Sequence, residues 1–374
     1  MTHRRIIIIF CLAGCAAGIV LWLSKDPPAT RDITAAPGPS SLPAVETRLV
    51  ARVSEQLAQP TSRPESLRIL RELKAQLISR PRAEALAIIR DFLATGLDRP
   101  TGLSFDIGEG GVLTEWPTLR VFLLEILPSI DAIAAAEISR TILAAPTQPD
   151  EWAVALRNVA LSDPSPGQHE WLRGRTETLI NHPPWQAAPS IGYLNAFDVL
   201  VHINATRSIP LLSHLIQRKD RKDLAHAGFL TLNALVLRNP VEALTLISAD
   251  ADLQQSRPEM TAQQFARADL RDPSQQALIK RWLLDPRRNG TELRAFSGVY
   301  PNNNHFVSHN LLTNVNLVSG RNIAEHDPAA IKILRGWQQS PEFEPVKSYL
   351  NTMLSRLEAF AGKPAPRVPA ATEQ

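Results

Sequence analysis

The stretch Ser208–Leu235 reads SIPLLSHLIQRKDRKDLAHAGFLTLNAL and decides the class of fold. It consists of two apolar segments separated by a short charged run. Pro210 stands near the start of the first segment, a position where a helix tolerates proline because the missing N–H would have no helical partner there. The second segment is rich in small and aliphatic residues. The stretch therefore predicts two helices, 206–218 and 222–238, joined by a short turn.

Apolar residues recur at helical spacing on both sides of this stretch. Leu70, Leu73 and Leu77, for example, share one face of a helix whose other face is charged. No segment of comparable length alternates with period two, so we expect a mainly α-helical body. Further helices are predicted near residues 118–127, 131–144, 150–161, 168–180, 190–203, 240–249, 260–270, 274–284, 328–338 and 342–360.

The junctions between these helices recur along the chain. At each one an apolar helix ends, an Asp or Asn follows, and a new helix begins; the residues are Asp131, Asp163, Asn204 and Asn239, at intervals of 32, 41 and 35. Asp and Asn are good N-caps because their side chains accept hydrogen bonds from the first backbone N–H groups of a helix. A helix pair every 35 to 40 residues is typical of a solenoid.

The segment 206–249 resembles a HEAT repeat. The likeness depends on the proline in the first helix, the short charged turn containing Asp220, and the small and aliphatic residues of the second helix. It departs from the family early in the second helix, where Ala225 or a neighbour replaces a common arginine. The resemblance implies an all-α, HEAT-like solenoid of stacked helix pairs, a fold that usually serves as a binding scaffold.

Two segments interrupt the helical pattern. In 98–117 apolar and polar residues alternate on either side of a glycine run, which predicts a small β-hairpin near 101–116. The segment 300–310 is a polar loop rich in asparagine. Loops of solenoids often carry the binding function, so we expect partner contacts in these two loops. The candidate contact residues are Phe105, Asp106, Glu109, Trp116, Tyr300, Asn302, Asn303, His305 and His309.

The N-terminal segment is expected to be a signal anchor. Arg4 and Arg5 precede the unbroken apolar run Ile6–Leu23, whose 18 residues span roughly 27 Å as a helix. The positive end predicts a single-pass helix in a bacterial cytoplasmic membrane, with the body on the periplasmic side. Alternatively, Leu12-Ala13-Gly14-Cys15 resembles a bacterial lipobox, which implies a lipoprotein acylated at Cys15. Cleaved secretion is the third possibility.

Composition and length set the domain organisation. The chain has 374 residues, 44% of them hydrophobic, and only two cysteines, Cys11 and Cys15, so a disulfide-stapled fold is excluded. Residues 26–46 are rich in proline and small residues and are expected to form an extended linker. We expect an anchor at 1–25, this linker, a helical-repeat domain at 47–361 and a disordered tail at 362–374.

Other patterns carry weaker functional hypotheses. His305 and His309 are four residues apart, and His326 could add a third ligand, so a metal-dependent enzyme with its site in the 300–327 loop is the alternative function. The run Arg218–Asp223 is interpreted as a solvated turn, because its carboxylates cancel half of its positive charge. The glycines of 108–111 lack the spacing of a phosphate-binding motif and are interpreted as a structural turn.

The preferred function is a membrane-tethered, extracytoplasmic scaffold that binds a protein or an envelope component. No nucleophile motif or cofactor fingerprint is evident, so catalysis is the less favoured reading and no cofactor is expected. A net formal charge of +3 is too small to imply a polyanionic partner, and a body outside the cytoplasm meets no chromosomal DNA. A nucleic-acid-binding HEAT protein is therefore disfavoured.

Overall fold

The periodic apolar segments form helices in the computed structural model of the protein, which describes residues 48–162, 164–304, 310–312 and 321–360. These residues belong to one compact unit, Pro43–Gln374. Among them, no helix is long and apolar enough to cross a membrane. Several predicted features lie outside the described residues: the anchor with Cys15, the linker of 26–46, the tail of 362–374, the junction residue Asp163, and the loop residues His305 and His309.

The prediction of an all-α body is confirmed for the described residues, which are mostly helical. The helices are α1 (Arg48–Leu57), α2 (Arg63–Ile78), α3 (Arg82–Ala94), α4 (Leu119–Ile130), α5 (Ala132–Ile142), α6 (Pro149–Ala160), α7 (Pro166–Ile180), α8 (Pro183–Ala187), α9 (Ile191–Asn195), α10 (Asp198–His202), α11 (Ile209–Gln217), α12 (Lys222–Arg238), α13 (Pro240–Ala249), α14 (Ala251–Ser256), α15 (Pro258–Phe265), α16 (Pro273–Leu283), α17 (Gly290–Val299), α18 (Ile323–Gln339) and α19 (Lys347–Phe360).

Packing follows the amphipathic pattern. Leu70, Leu73 and Leu77 of α2 are buried, as their shared face predicts. Helix α6 is different, because every residue from Glu151 to Ala160 is buried. A helix covered on all sides is a core helix. The buried apolar side chains of the described residues form one continuous cluster, which runs from α1 to α19.

The predicted N-caps have mixed outcomes. Asp131 caps α5, because its carboxylate accepts hydrogen bonds from the backbone N–H groups of Ile133 and Ala134 at 3.0 and 3.1 Å. Asn239 occupies the N-cap position of α13 but makes no capping hydrogen bond. The prediction at Asn204 is wrong. This residue has φ of 57° and follows the end of α10, a left-handed conformation that asparagine tolerates better than most residues.

Some helix boundaries also differ from the prediction. The single helix predicted at 190–203 is two short helices, α9 and α10. Helix α17 was not predicted, although the sequence carries a local signal for it. Asn289 and Glu292 form a capping box, in which each side chain accepts a hydrogen bond from the other residue's backbone N–H group.

The predicted hairpin is present as a small antiparallel sheet of two strands, β1 (Asp106–Ile107) and β2 (Leu113–Glu115). Asp106 pairs with Glu115 and Ile107 pairs with Leu113, with a bulge between the two pairs. The glycine run makes the turn, as predicted, and includes one turn of 3₁₀ helix at Glu109–Gly111.

Two buried ion pairs join the core helices α4 and α6, and one of them also holds the hairpin turn. Arg157 of α6 pairs with Glu125 of α4 and also donates a hydrogen bond to the carbonyl oxygen of Gly111 at 2.9 Å. Arg120 pairs with Glu151, and both side chains are at most 5% exposed. Buried charges of this kind require their partners, because a lone charge in the core keeps its desolvation penalty.

The hairpin turn also lies against a segment far along the chain. A Cβ atom built on Gly111 would overlap the backbone of Leu311, 2.8 Å from its carbonyl carbon and 3.2 Å from the carbonyl oxygen of Asn310. Next to this contact, the backbone N–H of Leu312 donates a hydrogen bond to the Asp198 carboxylate at 2.8 Å. The hairpin turn and the 310–312 segment are therefore packed together.

Candidate functional site

A groove of about 440 Å³ lies on the helix pair α11–α12 and the neighbouring helix α15. We call it the cationic groove. Its lining side chains come from the end of α11, the following turn, the first two turns of α12, and the start of α15. They are Ile216, Arg218, Lys219, Lys222, Ala225, His226, Phe229, Arg257 and Met260.

Close packing of α11 on α12 shapes the groove. Gly228 faces α11, and a Cβ atom there would lie 3.3 Å from both the Leu212 carbonyl oxygen and the Leu215 Cβ. The absence of a side chain lets the two helices approach closely. Phe229 is the next residue along α12 and is only half-buried, as is Met260 of α15. Together with buried Ile216, these side chains give the groove an apolar floor.

The charged turn forms one rim of the groove. Arg218 pairs with Asp220 at 2.5 Å and Arg221 pairs with Asp223 at 2.6 Å. Hydrogen bonding to Asp220 raises the pKa of Arg218, and the same bond lowers the pKa of Asp220. The two ion pairs confirm that the carboxylates of the run neutralise part of its charge. The neutralised groups are the two arginines.

The arginines of this turn also hold it against the preceding helices. Arg218 donates a hydrogen bond to the side chain of Gln186 at 2.8 Å, and Arg221 donates one to the carbonyl oxygen of Ala187. The two lysines of the run, Lys219 and Lys222, are exposed and make no ion pair with any residue that the structure describes. The turn thus presents two ammonium groups to the groove on a fixed backbone.

Arg257, which immediately precedes α15, also lines the groove. Its Nε and Nη2 atoms donate hydrogen bonds to the carbonyl oxygen of Ile216, at 3.2 and 3.1 Å. This carbonyl lies in the last turn of α11, where backbone acceptors have no helical partner and a cation is favourable. Arg257 has no carboxylate partner among the described residues. The lining of the groove therefore contains four cations and no Asp or Glu.

This arrangement is suited to binding. Ammonium and guanidinium groups at the rims attract anionic groups, and the floor of Phe229, Met260 and Ile216 accepts an apolar side chain. Among the lining residues, only His226 has a side chain that commonly acts as a general base, and the lining offers no serine, threonine or cysteine for it to activate.

The predicted contact residues of the hairpin divide into two groups. Phe105 and Trp116 are buried, and the Trp116 ring packs edge-on against Phe122 with centroids 4.9 Å apart. Asp106 and Glu109 are exposed, and Asp106 accepts a hydrogen bond from the hydroxyl of Thr114. Of these four predicted contact residues, the two acidic ones are those placed at the surface.

The described part of the 300–310 loop is largely internal. Tyr300 is fully buried and its ring stacks on Phe296 with centroids 5.6 Å apart. Asn302 is buried and donates hydrogen bonds to the backbone carbonyls of Gln263 and Ala266. Asn303 is half-buried. Asn302 thus satisfies backbone carbonyl groups in and just after α15.

His326, the third predicted metal ligand, lies in a buried network of charged groups. Its Nδ1 is 2.8 Å from the Asp327 carboxylate, and its Nε2 is 3.4 Å from Nη1 of Arg321 and 3.8 Å from the Asp269 carboxylate. Burial lowers the pKa of His326, although the hydrogen bond to Asp327 opposes this effect. Among the described residues, no group of three or more His, Cys, Asp or Glu side chains could hold a metal ion.

The sequence reasoning found one rim of the cationic groove but not the groove itself. It identified the run 218–223 and its charge cancellation. It missed Phe229, Arg257 and Met260, because Arg257 follows Arg218 by 39 residues and only packing brings them together. The repeated order Arg-Lys-Asp in the run was a local signal for the positive charge of the groove. Each aspartate can pair with the arginine two residues before it, so the lysine between them keeps its charge unpaired.

The sequence was also compared with known proteins. No model of a known protein family matches the chain, and no curated protein sequence matches it.

Proposed function

We propose that this protein is a membrane-tethered, extracytoplasmic helical-repeat scaffold that binds another protein in the cationic groove. The observation that carries the proposal is the groove itself: four cations without a carboxylate among the lining residues, around an apolar floor. Most of its lining belongs to the helix pair α11–α12, whose sequence resembles a HEAT repeat, and Arg257 and Met260 follow that segment. Paired helices of such repeats commonly form binding surfaces.

The tether is inferred from sequence. Arg4 and Arg5 before the apolar run Ile6–Leu23 favour a membrane helix with the body on the far side of the membrane. Acylation at Cys15 would place the body on the same side. In both arrangements the proline-rich residues 26–46 would separate the body from the lipid surface and let the cationic groove reach a partner.

The alternative of a metal-dependent enzyme has less support. Both ring nitrogens of His326 face charged neighbours, and the guanidinium of Arg321 lies on the side where Nε2 would meet a metal ion. A cation at that distance opposes the binding of a second cation. We therefore do not propose a metal centre there.

Site-specific photo-crosslinking in intact cells tests the binding function. A photoreactive residue at His226, exposed in the cationic groove, should form a discrete adduct with one protein. The matched control replaces His214, which is exposed on α11 but does not line the groove. The same protein captured equally at both positions, or no adduct at position 226, would contradict the proposal.

Protease treatment of intact and permeabilised spheroplasts tests the tether. Protease added outside should digest the body while a cytoplasmic marker stays intact. Protection of the body until the membrane is permeabilised would place it in the cytoplasm and refute the extracytoplasmic part of the proposal.

A further inference from the structure

We infer that the buried guanidinium group of Arg267 binds a free phosphate or sulfate ion through its Nε and Nη2 atoms. Arg267 follows the end of α15 and does not line the cationic groove. An ion bound there goes beyond the proposed function and does not depend on a partner protein.

Arg267 is an isolated charge in the interior of the protein. The residue is 5% exposed, and its side chain makes one hydrogen bond to the described residues, from Nη1 to the carbonyl oxygen of Asn304 at 2.7 Å. Its Nε atom is closed to bulk water and has no hydrogen-bond partner. No Asp or Glu in the described part of the chain forms an ion pair with it. Buried charges are normally paired or bound to an ion, because a lone charge keeps its desolvation penalty.

A second guanidinium group adds to the uncompensated positive charge. Arg321 donates a hydrogen bond from Nη2 to the backbone carbonyl oxygen of Arg267, so its positive charge lies close to that residue. Burial, together with the charge of Arg321, lowers the pKa of Arg267 to about 10, and burial also lowers the pKa of Arg321. Both side chains stay charged at neutral pH. Two neighbouring cations repel each other, and an anion between or beside them removes this cost.

The carboxylates of this region have other partners. Asp269 pairs with Arg271 at 2.8 Å, and the carboxylate of Asp327 lies 2.8 Å from the ring of His326. Residues 300–321 contain no Asp or Glu, so that stretch of the chain cannot supply a counterion either. A counterion for the two guanidinium groups therefore has to come from solution.

The unused edge of the Arg267 guanidinium selects the chemistry of this anion. Because Nη1 donates to Asn304, the N–H of Nε and one N–H of Nη2 remain, and these two point in parallel from one edge of the planar group. Two parallel donors match two oxygen atoms of one oxyanion. A sulfate or hydrogen phosphate ion offers such a pair and carries two negative charges, one for each arginine. Deep burial of Arg267 favours the free ion over a phosphate group on a larger molecule.

Isothermal titration calorimetry on the full-length protein tests the site. The protein is purified in detergent and in a chloride buffer without phosphate or sulfate. We expect inorganic phosphate to bind and sulfate to compete with it, whereas acetate, with a single charge, should bind at least roughly tenfold more weakly. Phenyl phosphate, which carries the same group on a bulky ring, should not bind. Failure of both ions to bind, or equal binding of acetate or phenyl phosphate, would overturn the inference.

Substitutions assign the bound ion to Arg267. Arg267→Gln should lower phosphate affinity by about tenfold or more, because it removes charge-assisted hydrogen bonds. Arg267→Lys keeps the charge but loses the two parallel donors, so its affinity should lie between those of wild type and Arg267→Gln. The control Arg281→Gln removes an exposed arginine of α16 and should change affinity by less than about twofold. Equal losses in Arg267→Gln and Arg281→Gln would contradict the assignment.

Thermal melting separates ion binding from a purely structural role of Arg267. A ligand that binds only the folded protein stabilises it, so phosphate should raise the melting temperature of wild type and of Arg281→Gln. It should not raise the melting temperature of Arg267→Gln. The same rise in all three proteins would refute the site. If Arg267→Gln does not fold, Arg267→Lys provides the comparison, with a smaller rise than in wild type expected.

The cationic groove is the other place where phosphate can be attracted. The double variant Lys219→Glu/Lys222→Glu replaces two of its cations by carboxylates. Phosphate binding that persists in this double variant and is lost in Arg267→Gln supports the buried site. Phosphate binding that is lost in the double variant and persists in Arg267→Gln would place the ion in the cationic groove and overturn the inference.

Discussion

Replacing Gly111 by alanine should destabilise the protein more than the same replacement at Gly102. Both glycines have positive φ, 78° and 74°, a conformation that costs alanine about 1–2 kcal/mol. They differ in their surroundings. Around Gly102 nothing lies within 4 Å of a built Cβ, whereas at Gly111 the Cβ would overlap the backbone of Leu311.

The difference between the two variants measures the contact between the hairpin turn and the 310–312 segment. Relief of the overlap requires a backbone shift, for which overpacking costs of about 1–3 kcal/mol are typical. We therefore expect a loss of about 2–5 kcal/mol in the free energy of unfolding for Gly111→Ala and about 1–2 kcal/mol for Gly102→Ala. The effect of the added methyl group on the unfolded chain is the same in both and cancels.

Urea unfolding of the full-length protein in detergent, followed by circular dichroism, gives both values. The Gly102→Ala variant is the control for the backbone cost alone. Equal destabilisation of the two variants would refute the reasoning, because it would mean that Gly111 has free space and that the hairpin turn does not pack against Leu311.

Three further predictions concern stability, all measured by urea unfolding. Glu151→Ala should cost about 3–5 kcal/mol, because it leaves the buried Arg120 guanidinium unpaired, and a loss below 1 kcal/mol would contradict a buried pair. Stability should fall as pH decreases below about 6.5, because the pKa of His326 is lowered in the folded state and the unfolded chain then binds a proton that the folded protein does not. The stabilisation from neutral His326 is fully present above pH 6.5 and is lost as the pH falls toward the pKa of His326 in the folded protein. His326→Gln should therefore make the free energy of unfolding less dependent on pH in this range. An unchanged dependence would show that His326 is not responsible. Asp131→Ala should cost about 1 kcal/mol, whereas Asn239→Ala should cost less, since only Asp131 accepts capping hydrogen bonds.

The helices were predictable where the apolar period is long and unbroken. The buried face of α2 and the cap at Asp131 follow from local pattern alone. The hairpin was predictable for the same reason, and its alternation also indicated that Phe105 faces inward. Phe105 was expected at a contact surface because it lies in a loop, but its side chain is buried, as the alternation indicates.

The cationic groove could not be predicted, because its lining comes from three helices. Local sequence shows that Asp220 and Asp223 can reach the arginines of the charged run. It does not show that Arg257 returns to the end of α11 and donates to the Ile216 carbonyl oxygen. Likewise, nothing local indicates that Phe229 and Met260 line the same groove, since that depends on how the helices pack.

The contact between Gly111 and Leu311 has a consequence for how the chain folds. In a linear array of repeats each unit contacts only its neighbours, so folding can proceed from one end. Here the hairpin turn meets a partner 200 residues downstream, and closing a loop of that length costs about 5 kcal/mol in chain entropy before any contact forms. Docking of the hairpin turn is therefore a late event, with high contact order, in a body whose helix pairs form early. A chain released by the ribosome before residue 310 lacks the segment that covers its hairpin.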